Sequence, residues 1–299
     1  MNGIKWRTRT NRSARILRAG VGGALLLTLL TACSSDGSGG SAGSREPGAS
    51  GDASGSAGAV RQPPVDAPFD YQLGGPYPPP AKVRAVSRDR TADPVPGRYN
   101  ICYVNAFQAQ PGADAARWWQ REHPDLILRD DDGDPVVDED WQEPLLDIST
   151  KKKRAALAEV VGRWIDGCGK AGFDAVEPDN LDSYERSDDL LTKDDAAAFA
   201  RLLAERAHAK GLAIAQKNTT DLIGEHRGIG FDFAVTEECA HYKECPAYEK
   251  AYDGKVFDIE YETKDFDDAC RRWGEKLSIT LRDRDVSAKG EDGYVYRHC

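Results

Sequence analysis

Eight short runs rich in Val, Ile, Tyr and Phe recur through the C-terminal three quarters of this chain, and helical stretches separate several of them. They are Tyr71–Leu73, Val83–Asp89, Tyr99–Asn105, Phe173–Asp179, Leu212–Asn218, Phe231–Glu237, Val256–Tyr261 and Leu277–Arg282. Leu145–Ile148 reads either as a ninth run or as part of a long loop. Strands that alternate with helices pair in parallel, because a parallel neighbour is reached only through a long crossover. Eight of them predict a closed (β/α)8 barrel of the TIM type in one domain. The dinucleotide-binding alternative needs a glycine-rich turn between strand and helix. The cluster Gly20-Val21-Gly22-Gly23 lies far upstream of the first run.

Two helices are explicit. Thr192 with Asp195 three residues on is a capping box, Gly211 closes the segment, and Phe199, Leu203 and Ala207 recur every four residues. A second runs from about Thr150 to Gly169, with Leu157, Val161, Trp164 and Cys168 on one face.

Side chains alternate across a strand, so parity sorts each run into an inner and an outer set. Ala175, Glu177 and Asp179 share one face; Ala213, Ala215 and Lys217 share another, opposite Leu212 and Ile214. Phe231, Phe233, Val235 and Glu237 align, as do Tyr103 and Asn105 opposite Cys102 and Val104. In Val256–Glu260 the apolar pair Phe257 and Ile259 suits a helix layer, which predicts that Asp258 and Glu260 face the barrel axis. Charged groups thus gather at the last inward position of several strands, the rim where barrel active sites are built. Their mutual repulsion requires Lys217, Arg282 or a cationic ligand.

The N-terminus reads differently. Residues 1–32 hold six basic side chains and no acidic ones, and the apolar stretch Ala19–Ala32 is too short to span a bilayer, so the segment is a signal peptide. Leu30-Thr31-Ala32-Cys33 resembles the lipobox of bacterial lipoproteins, which implies cleavage before Cys33 and its lipidation; ordinary signal cleavage is the competing use. Residues 34–59 are 21 Gly, Ser or Ala in 26, and a flexible linker is expected over 33–67, with the barrel domain over 68–299. Such a leash averages about 30 Å end to end. The expected location is the outer face of the cell membrane through the lipid anchor, or free secretion if Cys33 is not lipidated.

Without the leader, 34 basic residues face 50 acidic ones, a net charge of −16. This disfavours nucleic acid as a partner and favours a cationic ligand. Six cysteines remain besides Cys33, an even number suited to three disulfides in an exported chain. Of the fifteen pairings, one joins Cys239 to Cys245 in a short loop, Cys102 to Cys168 between strand and helix, and Cys270 to Cys299. No C-x-x-C occurs and the five histidines are scattered, so no metal is expected at these cysteines. Asp130-Asp131-Asp132-Gly133-Asp134 fails the EF-hand pattern at Pro135 and Trp141 and reads as an acidic loop over the barrel mouth.

Five motifs occur in order: Phe69-Asp70-Tyr71-Gln72-Leu73-Gly74-Gly75, Glu177-Pro178-Asp179-Asn180-Leu181-Asp182, Gln216-Lys217-Asn218, Glu237-Glu238-Cys239 with Cys245, and Val256-Phe257-Asp258-Ile259-Glu260. Together they resemble glycoside hydrolase family 114, the endo-α-1,4-polygalactosaminidases, over essentially all of 69–299. The resemblance implies a (β/α)8 barrel that hydrolyses chains of α-1,4-linked galactosamine, often partly N-acetylated. It implies Asp179 and Glu237 as the catalytic carboxyls. Glycoside hydrolysis needs such a pair, one to protonate the leaving oxygen and one as nucleophile or base. A cationic or partly N-acetylated amino-sugar polymer is the expected partner, with Glu177, Asp258 and Glu260 as candidates for its ammonium groups. Tyr71, Tyr184 and Tyr261 are candidates to pack on sugar rings, with ordinary packing as the competing use. Asn105, Asn180, Asn218 and Lys217 complete the candidate binding set. No cofactor is expected, and the domain is expected to act as a monomer. The competing functions are a non-catalytic polysaccharide-binding lipoprotein and a glycosidase for a neutral or N-acetylated chain.

Overall fold

The computed structural model describes residues 60–110 and 113–299. The signal peptide, Cys33 and the linker up to residue 59 lie outside the described residues. The last part of the expected linker, 60–67, lies against the domain. Arg61 pairs with Asp174 at 2.8 Å, and the Ala67 amide donates to Ser278 Oγ at 3.0 Å.

Eight parallel strands form the sheet: β1 (Phe69–Gln72), β2 (Ala85–Asp89), β3 (Tyr99–Asn105), β4 (Ala175–Asp179), β5 (Ala213–Lys217), β6 (Phe233–Glu237), β7 (Val256–Glu260) and β8 (Ser278–Arg282). Each pairs with the next in sequence, and β9 (Tyr296–His298) adds antiparallel to β8. β1 and β8 lie side by side without ladder bonds. The segment after β8 seals that seam, with the Gly74 amide donating to the Val286 carbonyl at 3.2 Å. A Cβ on Gly74 would sit 2.5 Å from that oxygen, so only glycine permits this approach. The eight-stranded barrel is therefore as expected.

Helices α1 (Ala113–Glu122), α2 (Lys151–Ala171), α3 (Lys193–Ala209), α4 (His226–Ile229), α5 (Cys245–Tyr252) and α6 (Thr263–Trp273) surround it. The two links β1–β2 and β2–β3 carry no helix, so the outer face there is closed by loops instead. A buried polar cluster occupies that place. Tyr77 and Gln72 donate to Asp70 at 2.7 and 2.8 Å, and Arg282 lies 3.7 Å from Asp70. Arg282 is thus spent away from the rim. The capping box of α3 is formed as read, and Thr150 caps α2 by accepting from the Lys153 amide. The three disulfides are Cys102–Cys168, Cys239–Cys245 and Cys270–Cys299. The first ties β3 to α2, where the shared outward parity of Cys102 placed it.

Inside the barrel, Phe69, Phe233 and Phe257 fill the space left by Ala175, Ala213 and Ala215, all fully buried. A barrel interior is a packed core, and large residues on some strands compensate small ones on others. This overturns one expectation. Phe257 and Ile259 point inward, while Asp258 and Glu260 point out into the layer of helices. Both sides of β7 are buried, so parity alone could not assign them.

Leu145–Ile148 is a loop stitched by bridges from Leu145 to Gln108 and from Leu146 to Ile127. Just before it, Val137–Asp138 and Glu143–Pro144 pair as a small antiparallel hairpin. The acidic turn 130–134 is exposed and folds on itself, with Asp130 Oδ1 accepting from the Asp132 and Asp134 amides. It does not line the barrel mouth; the hairpin does. Among the described residues no helix is long and apolar enough to cross a membrane.

Candidate active site

Three consecutive strands end in the same way. Asp179, Lys217 and Glu237 each occupy the last inward position of β4, β5 and β6. Each is followed by a residue in the left-handed region: Asn180 (φ 65°), Asn218 (φ 44°) and Glu238 (φ 59°). That conformation turns the chain sharply off the sheet, and asparagine tolerates it better than most residues. The preceding side chain is left projecting at the rim.

There the three meet. Lys217 Nζ lies 3.1 Å from Asp179 Oδ1, 3.3 Å from Glu237 Oε2 and 3.3 Å from Glu177 Oε1. The two contacts to Asp179 and Glu237 sum to 6.4 Å, the farthest apart those two oxygens can lie. Burial opposes a charged lysine, yet Asp179, Glu237 and Glu177 outweigh it and raise Lys217 well above the usual range. Burial likewise raises Asp179, but Lys217, the Tyr103 hydroxyl and the Asn180 amide together hold that carboxyl below its ordinary value. Tyr103 donates to Asp179 Oδ2 at 2.7 Å. Glu237 accepts from the Tyr261 hydroxyl. Asn218 grips Glu237 twice, its Oδ1 accepting from the Glu237 amide at 2.8 Å and its Nδ2 donating to the carboxylate at 3.4 Å.

These groups line a cavity of about 490 Å3 at the C-terminal end of the strands. Of the sequence candidates, Tyr71, Asn105, Asp179, Asn180, Lys217, Asn218, Glu237 and Tyr261 all line it. Four others do not. Glu177 is wholly buried below the floor, accepting from Tyr71 and Ser87 hydroxyls at 2.8 Å each, so it positions Lys217 and Tyr71 without reaching a ligand. Asp258 and Glu260 lie behind the site under the Cys239–Cys245 bridge. There Asp258 accepts from Thr236 Oγ1 at 2.7 Å and Glu260 from the Ala240 amide at 2.8 Å. Tyr184 packs its ring against the helix-layer core with its hydroxyl buried and unbonded. Its position after β4 suggested the rim, but the turn Ser183–Arg186 folds it inward.

Several lining residues were not foreseen. Tyr103 was legible by parity, as it shares the inward face of Asn105. Glu143, Asp138 and Trp141 come from the hairpin, which no periodicity marks. Arg186 and Arg284 come from irregular segments. Asp138 holds the hairpin to the barrel by accepting from Gln108 at 3.0 Å and pairing with Arg186 at 2.6 Å.

An eight-stranded barrel with two carboxylates flanking a cation at its C-terminal rim has the parts that glycoside hydrolysis requires. The model of glycoside-hydrolase family GH114 matches residues 50–299, and the chain belongs to that family. It is a glycoside hydrolase. No protein of curated function matches the sequence. Among solved structures, Aspergillus fumigatus Ega3 in complex with galactosamine is 25% identical at a TM-score of 0.64, over 81% of this chain and 98% of that one. The glycoside hydrolase domain of PelA from Pseudomonas aeruginosa is similar in fold at a TM-score of 0.52 and 16% identity, over 75% of this chain and 97% of that one.

Proposed function

We propose that this enzyme cleaves within chains of α-1,4-linked galactosamine, with Asp179 as nucleophile and Glu237 as acid and base. The observation that carries this reading is the single ammonium of Lys217 bonded to both carboxylates on the cavity floor. The similarity to a barrel that binds galactosamine supports the amino-sugar substrate. The two oxygens that share Lys217 lie at most 6.4 Å apart, which supports both carboxyls serving one glycosidic bond.

In this mechanism Asp179, kept ionised by Lys217 and Tyr103, attacks the anomeric carbon. The glycosidic C–O bond breaks as Glu237 gives its proton to the leaving oxygen. Water then attacks the glycosyl–Asp179 ester, losing a proton to the Glu237 carboxylate, and Asp179 is released. Tyr261 and Asn218 hold Glu237 through both half-reactions. Trp141, 64% exposed at the hairpin tip, offers an apolar face to a sugar ring along the chain.

Asp179→Asn and Glu237→Gln should each reduce cleavage of an α-1,4-galactosamine polymer by about a thousandfold or more while the protein stays folded. Retained cleavage in both would refute the assignment. Products of intermediate length establish internal cleavage, and the anomer first released in NMR reports retention.

The same reading places the enzyme outside the cell as a monomer on a lipid tether. The three disulfides support export. The parent should incorporate labelled fatty acid and Cys33→Ala should not; a parent without lipid label would argue against the tether.

A further inference from the structure

Of the cavity carboxylates that this mechanism does not use, Glu143 stands nearest in setting to the catalytic pair, through Asn105 and Asn180. Glu143, on the second strand of the hairpin, is 5% exposed and lines the same cavity as Asp179. Its Oε2 accepts from Asn105 Nδ2 at 2.8 Å, and Asn105 Oδ1 accepts in turn from Asn180 Nδ2 at 3.0 Å. The other oxygen, Oε1, has no partner among the described residues.

The charged groups around it are engaged elsewhere. Asp138 is fully engaged: its carboxylate accepts from Gln108 and the Asp140 amide and pairs with Arg186. Arg186 is divided between Asp138 and Asp182. Lys217 is surrounded by Glu177, Asp179 and Glu237. Burial, with Asp179 and Asp138 nearby, pushes the Glu143 carboxyl up to about 7 against the opposing hydrogen bond from Asn105. Glu143 thus has for counter-charge only Arg186, which Asp138 and Asp182 already share, and it keeps one acceptor free at the cavity.

We propose that Glu143 reads the amino substituent of the sugar, its free oxygen accepting from a substrate ammonium bound in the cavity beside Asp179. This rests on the reading above of an amino-sugar substrate and gives it a specificity-determining residue. A hydroxyl in the same place satisfies the free oxygen but leaves the repulsion from Asp179 and Asp138 unrelieved. An acetamido group donates one N–H, carries no charge and adds bulk. Only the free ammonium supplies both the donor and the missing charge.

Glu143→Gln keeps the size and the acceptor for Asn105 while removing the charge. The test is kcat and KM for parent and variant on an α-1,4-galactosamine polymer and on the same polymer fully N-acetylated. On the free-amine polymer kcat/KM should fall by about tenfold to a hundredfold, mostly through KM. On the acetylated polymer the change should stay within about threefold. Competitive inhibition gives a second measure: the parent should prefer galactosamine over galactose by about tenfold, and the variant should lose that preference. Equal losses on both polymers, or no loss on either, would overturn the role of Glu143 alone. A parent enzyme inactive on both polymers would overturn the substrate reading and this assignment together.

Discussion

Replacing Lys217 by Met tests the electrostatic core of the site. The ammonium is 2% exposed, and it is the cation that Glu177, itself wholly buried, shares with Asp179 and Glu237. Removing one partner of a buried ion pair costs about 3–5 kcal/mol, because the other charge stays in a medium that cannot solvate it. In a domain of this size each kcal/mol moves the midpoint by about 2–4 °C, so the variant should melt roughly 6–20 °C lower at neutral pH. The loss should depend on pH in a defined direction. Burial already raises Glu177 above its ordinary value while Lys217 opposes the rise, and without Lys217 the group rises further. The folded variant then binds a proton that the unfolded chain releases. Its stability is fullest below the ordinary Glu range and falls as pH climbs toward the raised pKa. The deficit relative to the parent should therefore shrink on acidification. Adding Glu177→Gln removes the stranded charge and should restore about 2 kcal/mol or more at neutral pH, without restoring activity, since Asp179 and Glu237 still lack their shared cation. Urea and thermal unfolding of the parent, single and double variants between about pH 5 and 8 decide the matter. A single variant within about 1 kcal/mol of the parent, a deficit independent of pH, or no recovery in the double variant would refute the reasoning.

Two further outcomes follow from the same structure. The Cys102–Cys168 bridge closes a span of 66 residues and Cys239–Cys245 one of 6. Paired Cys→Ala replacements should cost about 4 and about 2 kcal/mol respectively, measured by urea unfolding; the reverse order would count against loop-closure entropy as the source. Glu260 is held protonated first by burial and then by Asp258 beside it. Parent stability should decline as pH rises from the ordinary Glu range toward that raised value, and Glu260→Gln should flatten the decline while keeping kcat within about twofold. An unchanged slope, or a large loss of kcat, would place Glu260 differently from the structure.

Much of the site was readable because its residues end strands. Asp179, Lys217 and Glu237 each stand at an inward position of a run with clear parity, and the Asn after two of them signals the turn. The errors have physical causes. On β7 both faces are buried, since a barrel covers its strands inside and out, and only the donors Thr236 and the Cys239 amide in the helix layer decide that Asp258 points outward. Tyr184 fails because a short turn has no period to predict its direction. The hairpin with Glu143 and Trp141 is two residues on each strand, below the length at which alternation carries information.

The order of residues therefore decides what is local: which runs are strands, where α2 and α3 begin, and which carboxyls stand at strand ends. It also limits the chemistry, since a net charge of −16 over residues 33–299 and a pair of rim acids suit few ligands. Which face of a doubly buried strand turns to the axis is a different kind of quantity. So is the gathering of three carboxylates on one lysine, and so is the free oxygen of Glu143. Each depends on what other segments bring to the same few ångströms, and energy of that kind exists only when the chain has closed on itself.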